Sequence, residues 1–572
     1  LLQKKFRTIK GVSVIIYDQT CATEKRRRRK RGILNDPNKK VFINHFVCEG
    51  CGDCSVESNC ISVEPLKTNY GTKRKINQSS CNKDFSCANG FCPSFIEIKG
   101  ASVLKKAFSK IINPETKIKD IRNPPVYLFE NNKVYNILVT GIGGTGVVTI
   151  GALIGMAAHI EQKGISVLDQ VGIAQKGGAV LSHIRIAKKP SDIYSAQISE
   201  GSTDLLLGCD MVVSASSEIS KLLNFKKTNS IINDHEAPLS QSVLDPNYSY
   251  SGSLTKELIK KRSLAISFIN TSELARKLFG DTILSNIFLV GYAFQKGLVP
   301  ISIKALKEAI KLNAINIEGN ISAFNWGRLA AEDINYVFKK TKVSNNNLNK
   351  EFSLEELIDK RYQELIKYQN KKYADKYFKL IKLVKKKELD FKEKKFALTK
   401  TVVNTLYRIM AYKDEYEVAR LYTDGRFKEY LKENFEGSFK IGIYLSPPIL
   451  NLVDKKSKKP KKILFSNKIF LLFKILNKLK FIRNTALNPF GYSTERKKEK
   501  ELIIKFEKNL HFLLKKINKN NYKKCVEILS LFNDVKGFGH VKMRNFISFE
   551  KNLEYNLNQF KVSESKKDLA AE

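Results

Sequence analysis

The sequence has no long apolar run and no targeting segment. None of its stretches reaches the roughly 18 uninterrupted apolar residues that a membrane-spanning helix needs, because lysines interrupt even the most apolar helical segment, residues 463–482. The charged start, apolar segment and cleavage site of a secretory signal are missing too. We therefore predict a cytoplasmic protein without a membrane span. Because a domain-like pattern begins directly after Leu1, we also expect the chain to be a fragment of a longer protein.

Acidic residues are scarce relative to basic ones. The 572 residues include 57 Asp and Glu against 100 Lys and Arg, which gives a formal net charge of +43. Such a charge is typical of nucleic-acid-binding surfaces. The lysines are, however, spread along the whole chain among Asn and Ile, as on ordinary solvated faces. Only residues 25–31, KRRRRKR, form a dense basic run, so nucleic-acid binding stays an alternative and no nucleic acid is predicted as a partner.

Cysteine is rare in most of the chain and concentrated in one segment. Seven of the ten cysteines lie between residues 48 and 92, and the isolated Cys21, Cys209 and Cys525 are expected to be plain buried residues. A secreted disulfide protein would spread its bridges over a short chain. Clustered thiols in a large chain without a signal segment indicate metal ligands instead.

The spacing of these cysteines favours an iron–sulfur site. Cys48, Cys51 and Cys54 follow the C-x2-C-x2-C pattern that wraps one [4Fe–4S] cluster. In ferredoxin-like folds the fourth ligand comes from a distant cysteine that is followed by proline, and Cys92 precedes Pro93. These four cysteines are therefore the predicted ligands of a first cluster.

Three further cysteines remain for a second cluster, namely Cys60, Cys81 and Cys87. A second [4Fe–4S] cluster needs four ligands and only three cysteines remain for it. The sequence therefore predicts one or two clusters and does not identify the fourth ligand of the second. Gly50 and Gly52 suit the first loop, since its backbone must turn sharply close to the sulfides. The alternative is a zinc site, which usually takes four cysteines in paired C-x2-C knuckles.

Four segments are predicted along the chain. Residues 1–40 contain one strand, Val12–Tyr17, and the basic run, and residues 41–115 contain the clustered cysteines. Residues 130–340 alternate strands with helical stretches, which is an α/β pattern. Residues 350–572 are helical and highly charged.

A glycine-rich loop opens the α/β segment. A β-type run leads into a loop and then a helical stretch, and the glycines of that loop are Gly141, Gly143, Gly144 and Gly146. A second strand then ends at Asp169, as in a dinucleotide-binding unit, where glycines let the backbone approach phosphate and the helix N-terminus attracts the anion. The alternative is that the glycines only permit close strand–helix packing. His183 is interpreted as a core or loop histidine, because no helper group for catalysis can be identified.

These residues resemble a known family. Residues 141–146, GIGGTG, and 169–178, DQVGIAQKGG, are similar to the gamma-type domain of 2-oxoacid oxidoreductases, the pyruvate/ketoisovalerate oxidoreductase domain. Residues 291–297 and 324–328 look like the end of that domain. The cysteine segment resembles the one in fused, single-chain indolepyruvate ferredoxin oxidoreductases, in which residues 1–40 would be the tail of the thiamine-diphosphate-binding domain.

The resemblance implies a fold. We expect an α/β protein with an iron–sulfur cysteine-rich insert at 41–115, a Rossmann-like gamma-type domain at 130–340 and a mainly α-helical C-terminal domain at 350–572, whose role is not established. In related enzymes the gamma domain helps to receive coenzyme A. Residues 141–146 and Lys176 are therefore candidate contacts for coenzyme A, and Asp169 need not bind a ribose.

The resemblance also implies a reaction. An aryl 2-oxoacid of the indolepyruvate type would be oxidatively decarboxylated on thiamine diphosphate, its acyl group passed to coenzyme A, and its electrons passed through [4Fe–4S] clusters to ferredoxin. The Gly-Asp-Gly run that binds thiamine diphosphate is not in the sequence, so we expect that cofactor mainly upstream of Leu1 and an inactive fragment. A homo-oligomer is expected. A NAD- or flavin-linked iron–sulfur oxidoreductase stays an alternative, although no second cofactor motif is found.

Overall fold

A computed structural model describes residues 2–103, 114–118, 120–125, 133–172, 178–236, 245, 252–341, 352–390, 396–447 and 460–571. Over these ranges the chain forms an N-terminal arm, a cysteine-rich region, an α/β domain and a mainly helical C-terminal region. The predicted fold class is confirmed, whereas the predicted domain boundaries stay predictions.

The N-terminal arm contains two helices, α1 (Leu2–Phe6) and α2 (Ala22–Lys30). The strand predicted at Val12–Tyr17 is wrong, since these residues form no strand and Val12 is fully exposed. A β-type run is stable only when a neighbouring strand satisfies its backbone groups, and none lies beside it among the described residues. Most of the basic run lies in α2, where Arg26 donates a 2.8 Å hydrogen bond to the carbonyl oxygen of Ser80.

The cysteine-rich region is built on an antiparallel sheet that the C-terminal region completes. Its own elements are β1 (Lys39–Ile43), α3 (Asp53–Ser58), β2 (Val63–Thr68), β3 (Gly71–Ile76), a 3₁₀ turn (Ser86–Asn89), β4 (Phe95–Lys99) and β5 (Ser102–Val103). The C-terminal region adds β12 (Phe435–Glu436), β13 (Lys440–Leu445) and β14 (Ile463–Ser466). The main sheet has the order β1-β4-β13-β14, β2 pairs with β3, and β12 pairs with β5. The segments predicted as 41–115 and 350–572 therefore share one sheet.

The alternation of side chains separates the two faces of this sheet. Val41 and Ile43 of β1 pack on the side that carries six of the seven clustered cysteines. Phe42 of β1 and Ile96 of β4 pack on the opposite side, against helices of the C-terminal region. Because successive residues of a strand face opposite sides, one sheet supports both the cysteine loops and the helices.

The α/β domain is a six-stranded sheet with helices on both faces. Its strands are β6 (Val134–Ile142), β7 (Gly164–Val171), β8 (Ala179–Ala187), β9 (Leu205–Gly208), β10 (Asn229–Asn233) and β11 (Ala265–Ile269). Its helices are α4 (Glu115–Ile118), α5 (Val147–Ile160), α6 (Met211–Ser214), α7 (Ser217–Leu222), α8 (Gly252–Lys260), α9 (Thr271–Phe279), α10 (Ser285–Gln295), α11 (Ile303–Leu312), α12 (Ile317–Glu332) and α13 (Ile334–Thr341). Two 3₁₀ turns, Pro190–Asp192 and Thr282–Leu284, complete it.

The strand order of this domain is β11-β10-β9-β6-β8-β7. β9 pairs in parallel with both β6 and β10, and β10 pairs in parallel with β11. β8 is antiparallel to both of its neighbours, β6 and β7. After β6 the chain first forms β7 and β8 on one side of β6 in the sheet, and it then crosses to form β9 on the other side of β6. The β6–β9 pair is therefore a topological switch point, which is where open α/β sheets bind ligands.

The C-terminal region is mainly helical, as predicted. Its helices are α14 (Leu354–Tyr368), α15 (Lys371–Asp390), α16 (Ala397–Met410), α17 (Glu415–Thr423), α18 (Arg426–Asn434), α19 (Ile469–Lys478), α20 (Thr494–Lys516), α21 (Tyr522–Ser530) and α22 (Gly539–Ala571), with 3₁₀ turns at Leu479–Asn484 and Leu531–Asp534. Leu365, Leu406 and Phe506 belong to its buried core. Within the described ranges, no helix combines the length and the apolarity that crossing a bilayer would require.

Candidate iron–sulfur and ligand-binding sites

The first cysteine group consists of Cys48, Cys51, Cys54 and Cys92. Two of the side chains are buried and two are half-buried. Burial, and then the charges of the other three cysteines, raise the pKa of the Cys54 thiol well above its ordinary value. The four thiols thus lie within electrostatic range of one another, and they cannot all ionise unless a cation lies among them. The group therefore fits a positively charged metal cluster bound by four thiolates.

Two glycines shape the loop that carries three of these cysteines. Gly50 and Gly52 have φ angles of 70° and 78°, and a Cβ on Gly50 would lie 2.1 Å from the carbonyl oxygen of Thr72. The Gly50 N–H donates a 3.3 Å hydrogen bond to Sγ of Cys48. α3 then begins, and Cys54 lies in its first turn. Hydrogen bonds to cysteine sulfur tune the potential of an iron–sulfur cluster, so the loop suits such a ligand.

The second cysteine group consists of Cys60, Cys81 and Cys87. Burial first, and then the charges of Cys81 and Cys60, raise the pKa of Cys87 to about 12. The Lys83 N–H donates a 3.4 Å hydrogen bond to Sγ of Cys81. Arg26 of α2 donates a hydrogen bond to the carbonyl oxygen of Ser80, next to Cys81. The basic run therefore packs beside the second cysteine group.

The other cysteines behave differently. Cys525 is buried and Cys209 is half-buried, but Cys21 is exposed, so the expectation of a plain buried residue is wrong for Cys21. It precedes α2 in the N-terminal arm, which has no core of its own to bury it. Among the side chains that the structure describes, no three of His, Cys, Asp and Glu are arranged to hold a single metal ion. The assignment of the seven clustered cysteines to [4Fe–4S] clusters stays a prediction.

The C-terminal region supplies a lysine to the first group. Lys413 donates hydrogen bonds of 2.9 and 3.1 Å to the carbonyl oxygens of Val47 and Cys48. The side chain is half-buried, and burial lowers the pKa of Lys413. Sequence reasoning missed this residue because Lys413 and Val47 are 366 positions apart.

A second lysine is close enough to both cysteine groups to feel their charges. Lys462, which directly precedes β14, donates a hydrogen bond to the carbonyl oxygen of Gly90. Burial lowers the pKa of Lys462, whereas the charges of Cys92, Cys54 and Cys87 oppose that effect. These cysteines come from both groups, so a single cation acts on both. No signal in the sequence separates this lysine from its many neighbours.

A buried carboxylate ties the first loop to the last helix. Oε2 of Glu49 accepts a 2.9 Å hydrogen bond from the Gly537 N–H and lies 3.9 Å from the ammonium of Lys542. Burial by itself raises the pKa of Glu49, but the charges of Lys542, Lys413 and Arg408 outweigh it and lower the pKa to about 2. The first cysteine group is thus enclosed by charged groups of the C-terminal region.

The glycine-rich loop lies at the switch point of the α/β sheet. Gly141 is the second-last residue of β6, and a Cβ there would lie 2.6 Å from Cγ2 of Val147 and 3.1 Å from Cβ of Cys209. The Gly143 N–H donates a 2.8 Å hydrogen bond to the carbonyl oxygen of Gly178. Gly141 therefore permits close strand–helix packing, which is the plainer of the two predicted roles.

The same loop leaves the start of α5 open. Gly144 and Gly146 have φ angles of 82° and 97°, and no side chain caps the helix N-terminus at Gly146. Uncapped N–H groups at the start of a helix attract anions such as phosphate. The geometry is thus compatible with the predicted ligand contact as well.

Asp169 does not occupy the position that a dinucleotide-binding unit would give it. β7 continues past it to Val171, and β8 separates β7 from β6. Asp169 is paired with Ser182 of β8 and is exposed. An antiparallel strand inserted beside β6 thus displaces the acid from the switch point, and no sequence rule for a βαβ unit foresees it.

The other predicted residues of this domain have simpler outcomes. Lys176 lies outside the described residues. His183 is fully buried on β8, and its Nδ1 accepts a 3.2 Å hydrogen bond from the Ile198 N–H. Burial lowers its pKa. This environment is typical of a core histidine.

Family models match two parts of the chain. Residues 136–330 match the family described as pyruvate ferredoxin/flavodoxin oxidoreductase, and residues 354–555 match a family of unknown function, DUF6537. The α/β domain is thus similar to the pyruvate ferredoxin/flavodoxin oxidoreductase family, and the resemblance predicted from residues 141–146 and 169–178 is confirmed for this part of the chain.

The same part of the chain is similar to curated subunits of indolepyruvate oxidoreductases. The subunit IorB of Pyrococcus horikoshii is 26% identical over 206 residues, which are 35% of this chain and 98% of the relative. The subunit IorB of Thermococcus kodakarensis is 26% identical over 207 residues, with the same coverage. That of Archaeoglobus fulgidus is 29% identical over 195 residues, 34% of this chain and 92% of the relative. Each match thus accounts for about a third of the chain.

Solved structures give weaker matches. Pyruvate oxidoreductase subunit PORC from Thermotoga maritima has a TM-score of 0.26 and 16% identity, and the match covers 35% of this chain and 96% of that one. A 2-oxoglutarate:ferredoxin oxidoreductase from Magnetococcus marinus, with 2-oxoglutarate, coenzyme A and succinyl-CoA bound, has a TM-score of 0.27 and 17% identity, and the match covers 35% of this chain and 31% of that one.

Proposed function

We propose that this chain is the electron-transferring and acyl-acceptor part of an indolepyruvate-type 2-oxoacid:ferredoxin oxidoreductase. The observation that carries the proposal is one chain that combines a 2-oxoacid oxidoreductase domain with two groups of cysteines. Cys48, Cys51, Cys54 and Cys92 would hold one [4Fe–4S] cluster, which supplies one-electron transfer at low potential. The second group would hold another.

The proposed reaction balances as follows. The bond between the carboxylate and the carbonyl carbon of an aryl 2-oxoacid breaks and CO2 leaves, and a thioester bond forms to the sulfur of coenzyme A. One proton and two electrons are released, and the electrons reach ferredoxin one at a time. When bound, thiamine diphosphate would supply stabilisation of the negative charge left as CO2 departs, and we propose that residues outside this chain bind it, since the Gly-Asp-Gly run is not in the sequence.

The chain's own residues have two roles in this proposal. The N–H groups at the start of α5, with Gly144 and Gly146, would bind a phosphate of coenzyme A at the switch point. The cysteine loops, enclosed by the C-terminal region, would keep the clusters out of water. A homo-oligomer is part of the proposal, whereas nucleic acid and membrane are not.

Anaerobic purification tests the proposal. We expect a brown chain with acid-labile sulfide and, after reduction by dithionite, the electron paramagnetic resonance of reduced [4Fe–4S] clusters. The reduced chain, freed of excess dithionite, should reduce ferredoxin. A colourless protein loaded with zinc would contradict the proposal.

The net charge of +43 supports an acidic electron acceptor. We expect the rate of ferredoxin reduction to fall steeply as salt is raised. A rate that is flat with ionic strength would contradict this part of the proposal. The chain with added thiamine diphosphate should not turn over indolepyruvate, and turnover would show that the cofactor is bound here.

A further inference from the structure

The second cysteine group contains a carboxylate at the position of a missing thiol. The first loop carries three cysteines at intervals of three residues, Cys48, Cys51 and Cys54. The second loop has Cys81 and Cys87 at the same outer positions, six residues apart, with Asp84 midway between them. Asp84 thus takes the place that the middle cysteine has in the first loop.

The backbone of the two loops is the same around this middle position. The residues that flank the middle cysteine of the first loop, Gly50 and Gly52, have φ angles of 70° and 78°. The residues that flank Asp84, Lys83 and Phe85, have φ angles of 57° and 63°. Both loops therefore turn twice through the left-handed region, on either side of the same position.

The hydrogen bonds and the following turns agree as well. In each loop, the N–H two residues after the first cysteine donates to its Sγ, at 3.3 Å for Cys48 and 3.4 Å for Cys81. In each loop a helical turn then begins, and the last cysteine of the loop, Cys54 or Cys87, is the second residue of that turn. The second loop is thus built as a ligand loop throughout.

This conformation is costly for the residues that adopt it. Glycine enters the left-handed region freely, but Lys83 and Phe85 have a Cβ that crowds the backbone there. Backbone strain of this kind persists where the surrounding structure requires it, and it collects at functional sites. Two such residues around a single carboxylate mark its position as fixed by a function.

Asp84 also has a plainer role. Its Oδ1 accepts hydrogen bonds from the N–H and the Oγ–H of Ser86, at 3.2 and 3.1 Å, which fix the chain at the start of the 3₁₀ turn. These bonds account for the backbone after Asp84 but not for the left-handed Lys83 before it. Both hydrogen bonds go to one oxygen, and a carboxylate has a second that can bind a metal.

We propose that Asp84 is the fourth ligand of a second [4Fe–4S] cluster, together with Cys60, Cys81 and Cys87. This inference rests on the proposed function. Seven thiolates and one carboxylate then supply eight ligands, four for each cluster. Carboxylate is a harder ligand than thiolate and binds the iron of a sulfide cluster less firmly. The iron bound by Asp84 is therefore the one that oxidation releases.

Oxidation by ferricyanide tests this assignment in the purified chain. One electron passes to ferricyanide and one Fe²⁺ leaves, so a [4Fe–4S]²⁺ cluster becomes [3Fe–4S]⁺. In the wild type we expect about eight iron atoms per chain before oxidation, and conversion of one cluster of the two. Electron paramagnetic resonance of the oxidised three-iron form measures the conversion.

Two variants and a matched control decide the role of the carboxylate. Asp84→Cys should keep both clusters and lose the conversion, because a thiolate holds the fourth iron. Asp84→Ala should contain about one iron less, or lack the second cluster while keeping the first. Asp36→Asn removes an exposed carboxylate that contacts Lys83 of the same loop, and it should behave as the wild type.

The outcomes separate this inference from the proposed function. The assignment is wrong if ferricyanide still converts one cluster to the three-iron form in Asp84→Cys. It is also wrong if Asp84→Ala keeps the full iron content and the same conversion. Either result leaves the iron–sulfur function intact. A wild type with only one cluster would overturn the assignment too. A wild type without iron would overturn both. If Asp84→Ala does not fold, Asp84→Cys alone decides through its resistance to oxidation.

Discussion

The ammonium of Lys462 interacts electrostatically with cysteines of both groups. Its ammonium binds the Gly90 carbonyl and lies 5.0 Å from the ring centroid of Phe95, so apolar and backbone atoms partly shield this half-buried side chain from water. Reduction adds a negative charge to an iron–sulfur cluster, and a nearby cation stabilises the reduced form most where solvent screens least.

Replacement of this lysine should therefore lower the reduction potential. For Lys462→Gln we expect roughly a tenfold fall in the ratio of reduced to oxidised cluster at a fixed potential, about 59 mV for one electron. Potentiometry followed by electron paramagnetic resonance measures the shift. Lys461→Gln is the matched control, since Lys461 is exposed, and an equal shift in both variants would contradict a local effect.

The first cysteine loop shows how one element depends on its neighbour. Gly50 needs a positive φ, and the carbonyl of Thr72 in β3 also fills the space that a Cβ would take. Gly71 has a positive φ of 86° as well, but a Cβ there would meet nothing within 4 Å. The two positions separate the effect of φ from the effect of crowding.

The two alanine variants should differ in stability. We expect Gly71→Ala to cost about 1–2 kcal/mol of unfolding free energy from the left-handed backbone alone, and Gly50→Ala to cost a further 1–3 kcal/mol because β3 must move. Urea unfolding of both variants measures the difference. Equal costs would show that the loop adjusts to a side chain at Gly50.

The molecule as a whole is held together across the cysteine-rich and C-terminal regions. Arg361 of α14 is 2% exposed and contacts the rings of both Tyr70 and Tyr407, 4.3 and 4.7 Å from their centroids. It also donates a 3.1 Å hydrogen bond to Asn404. With the shared β1-β4-β13-β14 sheet, this contact makes the two regions one folding unit.

We therefore expect Arg361→Ala to lower the melting temperature of both regions together. The loss of cation–π and hydrogen-bond contacts should cost about 1–3 kcal/mol. Cluster absorbance reports on the cysteine-rich region and far-ultraviolet circular dichroism on the helices, so both should shift by the same amount. Lys372→Ala, at the exposed start of α15, is the control. A shift in only one signal would show that the regions melt separately.

Local patterns in the sequence explain which predictions hold. The α/β alternation and the loop from Gly141 to Gly146 lie within continuous stretches, so their periodicity indicates β6 and α5 directly. The strand predicted at Val12–Tyr17 fails because its pattern says nothing about a partner strand. Residues 440–445, KIGIYL, form a strand inside the region that we predicted to be helical, and the pairing of that strand with β4 lies beyond any local rule.

By itself, the sequence determined the spacing of the clustered cysteines, the α/β class of residues 130–340 and the helical character of most of the last third, because these follow from short-range periodicity and chemistry. Only the tertiary structure decided that β8 separates Asp169 from the switch point, that Lys413 and Lys462 reach the cysteine groups, and that Lys83 and Phe85 turn the chain around Asp84 as the glycines do around Cys51. These features depend on strand order and on contacts between residues far apart in the chain, and neither leaves a local signature.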